Sequence, residues 1–162
     1  MRINGAPVGR ELGTYSFTEQ VLSDDDGDKE DGSIMMVAAT DAPLTARSLD
    51  RLELRAIMGL ARTGSFASNG SGDYVIAFSS NPDVRKPRIS NEPVANSVLV
   101  NSSMSPLFSA TAEATEEAIY NAIFKATTIT SDRGTLEAVP IDRIMEILVK
   151  YKALNWDVTV PN

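Results

Sequence analysis

The stretch that decides the fold is residues 23–40, SDDDGDKEDGSIMMVAAT. Its first ten residues carry six acids, Asp24, Asp25, Asp26, Asp28, Glu30 and Asp31, with two glycines and no apolar side chain. Such a segment has nothing to bury and reads as a solvated linker. At Ser33 the character changes abruptly. The run IMMVAAT that follows is apolar on both faces, the pattern of a central, fully buried β-strand. A cut between Gly32 and Ser33 would leave Ser33 as the first residue of a rigid element, where a site is best mounted.

The acidic run invites a calcium reading and fails it. An EF-hand loop needs Gly at its sixth position and Glu at its twelfth. Counted from Asp24, those positions hold Lys29 and Met35.

Downstream, strands and helices alternate. Leu49, Leu52, Ala56, Ile57 and Leu60 keep helical spacing within residues 44–62, with Pro43 near the start and Gly64 as the stop. YVIAFS, residues 74–79, reads as a second strand, and residues 97–100 as a third. Three prolines between them, Pro82, Pro87 and Pro93, mark a long excursion. The longest helix runs from Ser105-Pro106 to about Thr127, with a stripe of Ala112, Thr115, Ile119, Ala122, Ile123 and Ala126. Its small residues predict close approach to a neighbour. TITSDRGT, residues 128–135, turns the chain. Pro140 opens a last helix carrying Ile141, Ile144, Met145, Leu148 and Val149, and WDVTVPN is an edge-strand candidate. Asn4-Gly5 and Pro7 to Gly9 are turn chemistry in a short strand-and-turn opening. The alternation predicts one layered α/β domain.

Composition bounds the chemistry. The chain has 162 residues and a net charge of −7. That balance disfavours nucleic acid and anionic membrane as partners. No segment is long and apolar enough to span a bilayer, so a soluble protein is expected, with cytoplasm and periplasm both open. There is no Cys and no His. Thiolate catalysis, Cys-ligated zinc and every Ser-His or Cys-His triad are excluded, and no cofactor or metal is expected. A general base near neutral pH would have to be a perturbed carboxylate, a perturbed Lys or an α-amino group. The last titrates at about 7.7–8.0 unaided.

The loop GSFASNGSGD, residues 64–73, lacks both the GK[ST] of a P-loop and GxGxxG spacing. It is either a plain helix-to-strand connector or a place where close-packed Gly lets Ser71 and Asp73 point into a site. Asn69-Gly70-Ser71 is formally a glycosylation sequon. Ser33 taken alone is an ordinary strand-start serine.

Four blocks together resemble a known family: DGSIMMVAATDAPL (31–44), GLARTGSFASNGSGDYVIAFS (59–79), SPLFSATAEATEEAIYNAIFKATT (105–128) and EAVPIDRIMEILVKY (137–151). They are similar to the L-aminopeptidase/D-esterase family, which includes the β-peptidyl aminopeptidases. RINGAPVGREL resembles the end of that family's larger subunit. The resemblance implies an α/β/β/α sandwich of the N-terminal-nucleophile type, shared with ornithine acetyltransferases and here incomplete. It implies a precursor that cuts itself at Gly32–Ser33, with Ser33 as nucleophile and Ser71 and Asp73 as the second serine and carboxylate. The implied organisation is 1–22 as the end of the larger N-terminal subunit, 23–32 as an acidic linker and 33–162 as the catalytic smaller subunit. Met1 is then either a natural start or the edge of a precursor's C-terminal portion. Implied partners are the complementary larger subunit, peptide substrates and a higher homo-oligomer of the cleaved pair. In that family the larger subunit supplies oxyanion donors and much of the pocket, so the resemblance implies the same here. Two other readings remain: an acyltransferase of the ornithine acetyltransferase type, and an inactive fragment that only binds a complementary subunit.

Overall fold

A strand forms at Met35–Thr40 (β1) and a second at Tyr74–Ser79 (β2), and they pair parallel, Met35 opposite Tyr74 through Thr40 opposite Ser79. Parallel neighbours need a long crossover, usually a helix. Ala46–Arg62 (α2) supplies it; the single-turn helix Val8–Glu11 (α1) precedes β1. The computed structural model describes residues 1–13, 33–86, 92–93, 95–132 and 134–154. The acidic linker, Gly32 and the WDVTVPN tail lie outside the described residues. The remaining elements are helix Ser105–Phe124 (α3), strands Ile129–Ser131 (β3) and Gly134–Leu136 (β4), and helix Ile141–Lys150 (α4). The fold is α/β. Among the described residues no helix is long and apolar enough to cross a membrane.

The chain divides into two compact units. One contains β1, β2, most of α2 and the first half of α3. Thr45 caps α2, its hydroxyl accepting the Ser48 N–H at 3.2 Å. Leu52 of α2 is buried with Leu44 and Met104, and Leu49, Leu99, Leu107 and Phe108 pack around them. The helices touch closely. A Cβ on Gly59 of α2 would sit 2.5 Å from the Ala112 carbonyl oxygen and 2.8 Å from Thr115 Cβ on α3. On β2, the Tyr74 and Ser80 N–H groups face β1, donating to the Ile34 and Thr40 carbonyls. Odd-numbered amides therefore face the other edge, and there Ala77 N–H donates to Glu53 Oε1 of α2 at 2.9 Å. A charged helix side chain thus covers an edge amide.

The other unit contains residues 1–13, 62–65 and the chain from 117 onward. Ile3 and Ala6 bridge across Asn4 (φ 46°) and Gly5 (φ 83°), the left-handed pair a tight hairpin turn demands. Ile3, Ala6 and Val8 are buried with Ile144, Ile147, Leu148 and Ala153. After α4, Lys152 takes φ 54°, and Ala153 N–H returns to the Leu148 carbonyl at 2.8 Å, closing a Schellman turn. Gly64, the expected stop of α2, has φ 96°.

Several expectations change. β1 is not buried on both faces: Met36 is buried, but Met35 is 72% and Val37 65% exposed. Strand alternation puts these two on one side with Tyr74, Ile76 and Phe78, and no described residue covers that side. Residues 97–100 are not a strand. Leu99 N–H bonds the Pro43 carbonyl, a loop, so no ladder can extend. The α3 stripe holds in part: Ala112 is buried and Thr115, Ile119 and Ile123 are half-buried, while Ala122 and Ala126 are exposed. The close contact at Gly59 sets which side of α3 turns inward. On α4 the buried line is Ile144, Ile147 and Leu148, leaving Ile141, Met145 and Val149 exposed. The 128–135 turn is a short hairpin, β3 with β4.

Two outcomes follow from these contacts. Gly59→Ala gains roughly 1 kcal/mol of helix propensity but drives a methyl into backbone. Overpacking of that kind costs about 1–3 kcal/mol, so the urea midpoint should fall; an unchanged or higher midpoint contradicts the packing. Separately, Glu11 accepts hydrogen bonds from Lys150 (2.7 Å) and Tyr151 (2.6 Å). The Lys150 ammonium first, then the Tyr151 phenol, hold its carboxyl below its ordinary range. A lowered folded-state value stabilises fully above the unfolded pKa, about 4.3, and less as pH falls through the folded one. Glu11→Gln should therefore lower the melting temperature at pH 7, and the deficit should shrink below pH 4. A deficit that does not vary with pH would contradict the sign.

Candidate active site

The β1–β2 register decides what meets what. With Met35 opposite Tyr74, Ser33 falls opposite Gly72, both two residues before their strands. Ser33 Oγ accepts the Gly72 N–H at 2.9 Å. Ser71 donates its hydroxyl hydrogen to Asp73 Oδ1 at 2.7 Å, and the same oxygen accepts the Ile34 N–H at 3.2 Å. The main chain continues the pairing, with Tyr74 N–H on the Ile34 carbonyl at 2.9 Å. Hence Ser33, Ser71 and Asp73 come together at the entry to two parallel strands. Ser33 is exposed, while Ser71 and Asp73 are half-buried. Gly32 lies outside the described residues.

The loop before β2 is shaped for this. Ala67 holds a left-handed φ of 51°, and Ser71 N–H closes a turn onto the Ser68 carbonyl at 3.0 Å. Asp73 Oδ2 is buried and, among the described residues, has no hydrogen-bond partner. A buried carboxylate oxygen without a donor is costly and keeps an open capacity to accept one. Among the described residues no three Asp or Glu side chains converge as a metal-binding group would require.

Two contributors escaped the sequence. The Gly72 and Ile34 amides carry no residue-type signal; only the register reveals them. Tyr74 is a third neighbour: a Cβ built on Gly72 would lie 3.4 Å from both Ser33 Oγ and the Tyr74 ring. Chemically, the arrangement offers a serine oxygen fixed by a backbone donor, beside a hydroxyl–carboxylate pair. No imidazole is involved.

Known proteins are similar to this chain in fold and in sequence. The family model described as Peptidase family S58 matches residues 1–136. Beta-peptidyl aminopeptidase BapA from Sphingosinicella microcystinivorans is 38% identical, over 95% of this chain and 40% of the relative. The chain therefore spans about two fifths of the curated relatives it matches. Among solved structures, the PH0078 protein from Pyrococcus horikoshii OT3 superposes with a TM-score of 0.74 at 43% identity, covering 91% of this chain and 38% of that one. The L-aminopeptidase D-Ala-esterase/amidase from Ochrobactrum anthropi, described as a new variant among the Ntn hydrolase fold, superposes with a TM-score of 0.77 at 29% identity, covering 95% and 40%. With a family match over most of its length and a relative 38% identical across nearly all of it, the chain belongs to peptidase family S58.

Proposed function

We propose that this sequence carries the nucleophile of an aminopeptidase/amidase-esterase, and that Ser33 acts once the Gly32–Ser33 bond is cut. The observation that carries the reading is the meeting of Ser33 with Gly72, Ser71 and Asp73 at the start of two parallel strands. The names of the relatives support peptides, amides or esters with a free N-terminal amine as substrates.

A serine hydroxyl needs a base. The freed α-amine of Ser33 is that base, with a pKa suited to about pH 7–8. It takes the hydroxyl proton while Oγ attacks the substrate carbonyl carbon. The amine then protonates the leaving group, which departs, and the acyl group remains as an ester on Ser33. Water, deprotonated by the same amine, hydrolyses that ester. The Gly72 N–H steadies Oγ during attack. Ser71 passes a proton near the Ser33 oxygen. Asp73 orients Ser71 through Oδ1, and its carboxylate favours the protonated amine when it forms.

The same oxygen makes the cut. Oγ attacks the Gly32 carbonyl, the amide C–N bond breaks as nitrogen takes the proton, and an ester joins Gly32 to Ser33. Water opens the ester, leaving a carboxylate on Gly32 and the free amine and hydroxyl on Ser33. In this scheme residues 1–22 end the larger subunit, 23–32 are the linker and 33–162 the smaller subunit. The exposed apolar side of β1 and β2 supports a larger subunit packing there. Oxyanion donors from that subunit would each contribute about 3–4 kcal/mol.

In the complete precursor, Ser33→Ala should leave the 32/33 bond intact by mass spectrometry and abolish hydrolysis of an aminoacyl amide. A persisting cut there would refute Ser33 as its own cleaving group. Asp73→Asn keeps size and removes charge. It should retain the circular dichroism spectrum and lower turnover by roughly 100-fold or more. Turnover close to normal would remove Asp73 from the machinery.

A further inference from the structure

Among the described residues, the segment Met1–Gly13 makes its outward contacts with residues that lie beyond Ser33 in the chain. Ile3, Ala6 and Val8 are buried against Ile144, Ile147 and Leu148 of α4 and against Ala153, with Val8 at 0% exposure. Arg2 N–H donates to the Thr63 carbonyl at 2.7 Å, and its own carbonyl accepts the Tyr120 hydroxyl at 2.7 Å. Asn4 Nδ2 donates to the Ala153 carbonyl at 3.1 Å. Gly9 packs so closely on Met1 that a Cβ would lie 2.8 Å from the Met1 nitrogen, which folds the segment compactly upon itself. At the far end Glu11 takes Lys150 on one oxygen and Tyr151 on the other.

We infer that Met1–Gly13 is an anchor that helps keep the chain before the Gly32–Ser33 bond attached to the chain after it once no covalent link remains, beside whatever the larger subunit packs on the β1–β2 side. This rests on the proposed cut, and names the surface that holds its two products together. Side-chain burial supplies adhesion, since Ile3, Ala6 and Val8 would be exposed on release. The backbone and Asn4 bonds fix the register, because a displaced segment leaves the Thr63 and Ala153 carbonyls to water. The Glu11 pair sits at the rim, where exposed ion pairs add little holding force but slow departure. The anchor also explains why a cut in the acidic run need not scatter the pieces: the break falls between Gly13 and Ser33, outside every contact just named.

The test makes the cut independently of the chemistry at Ser33. A recognition sequence for a site-specific protease is placed within residues 23–32 of this 162-residue chain carrying Ser33→Ala, the chain is digested to completion, and native mass spectrometry and gel filtration follow the pieces. The expected result is a one-to-one complex that survives dilution to nanomolar concentration. Glu11→Gln with Lys150→Ala, changes at a half-buried and an exposed side chain, should speed dissociation by roughly 2–5-fold without altering the circular dichroism of the uncut chain. Val8→Asp should release the N-terminal piece outright. Loss of that piece from the otherwise unaltered cut chain, or equal dissociation rates in every variant, would overturn the anchor. Because the protease makes the break, such a failure leaves the Ser33 reading to its own tests.

Discussion

Everything turns on the parallel register between β1 and β2. One residue of slip would move Ser33 from Gly72 and turn its side chain to the opposite face of the sheet. The register is fixed from several directions. The Ile34 and Thr40 carbonyls accept amides from β2 at both ends of the ladder. Asp73 reaches back across the strands to the Ile34 N–H. Glu53 takes an amide on the outer edge of β2, and Gly59 lets α2 close onto α3. Each contact is modest alone. Together they hold an exposed serine oxygen against a backbone donor.

The lack of His then acquires a chemical meaning. A chain with neither His nor Cys has few groups able to accept a proton near neutrality. Ser71 and Asp73 form a tight hydroxyl–carboxylate pair, with Asp73 Oδ1 already taken by Ser71 and the Ile34 N–H. The other oxygen, buried and without a described partner, is better suited to holding a positive charge. That is the division of labour proposed for this site: a base on the nucleophile's own residue and an anion behind it.

Much of this was legible from residue patterns, where the signal is local. Helical spacing at Leu52, Ala56 and Leu60, the stop at Gly64 and the run YVIAFS all describe elements that form. The Asn4-Gly5 turn did too. What failed depended on neighbours far away in sequence. Met35 and Val37 are apolar enough for a core, yet no described residue covers them. Residues 97–100 have strand composition but meet a loop carbonyl instead of a strand. The three candidate site residues could be nominated through a resemblance to known blocks. The Gly72 and Ile34 amides could not, because backbone donors leave no trace in residue type. Nor could the pairing of Glu11 with Lys150, which spans 139 residues.

The central claim is that residue 33 becomes a chain start whose nitrogen accepts the proton of its own hydroxyl. Top-down mass spectrometry of the complete, catalytically competent protein tests it most directly, read alongside its rate of amide hydrolysis. The account predicts a fragment beginning at Ser33 with an unmodified amine, in proportion to activity. Full activity from molecules in which Gly32 and Ser33 are still joined by a peptide bond would contradict it.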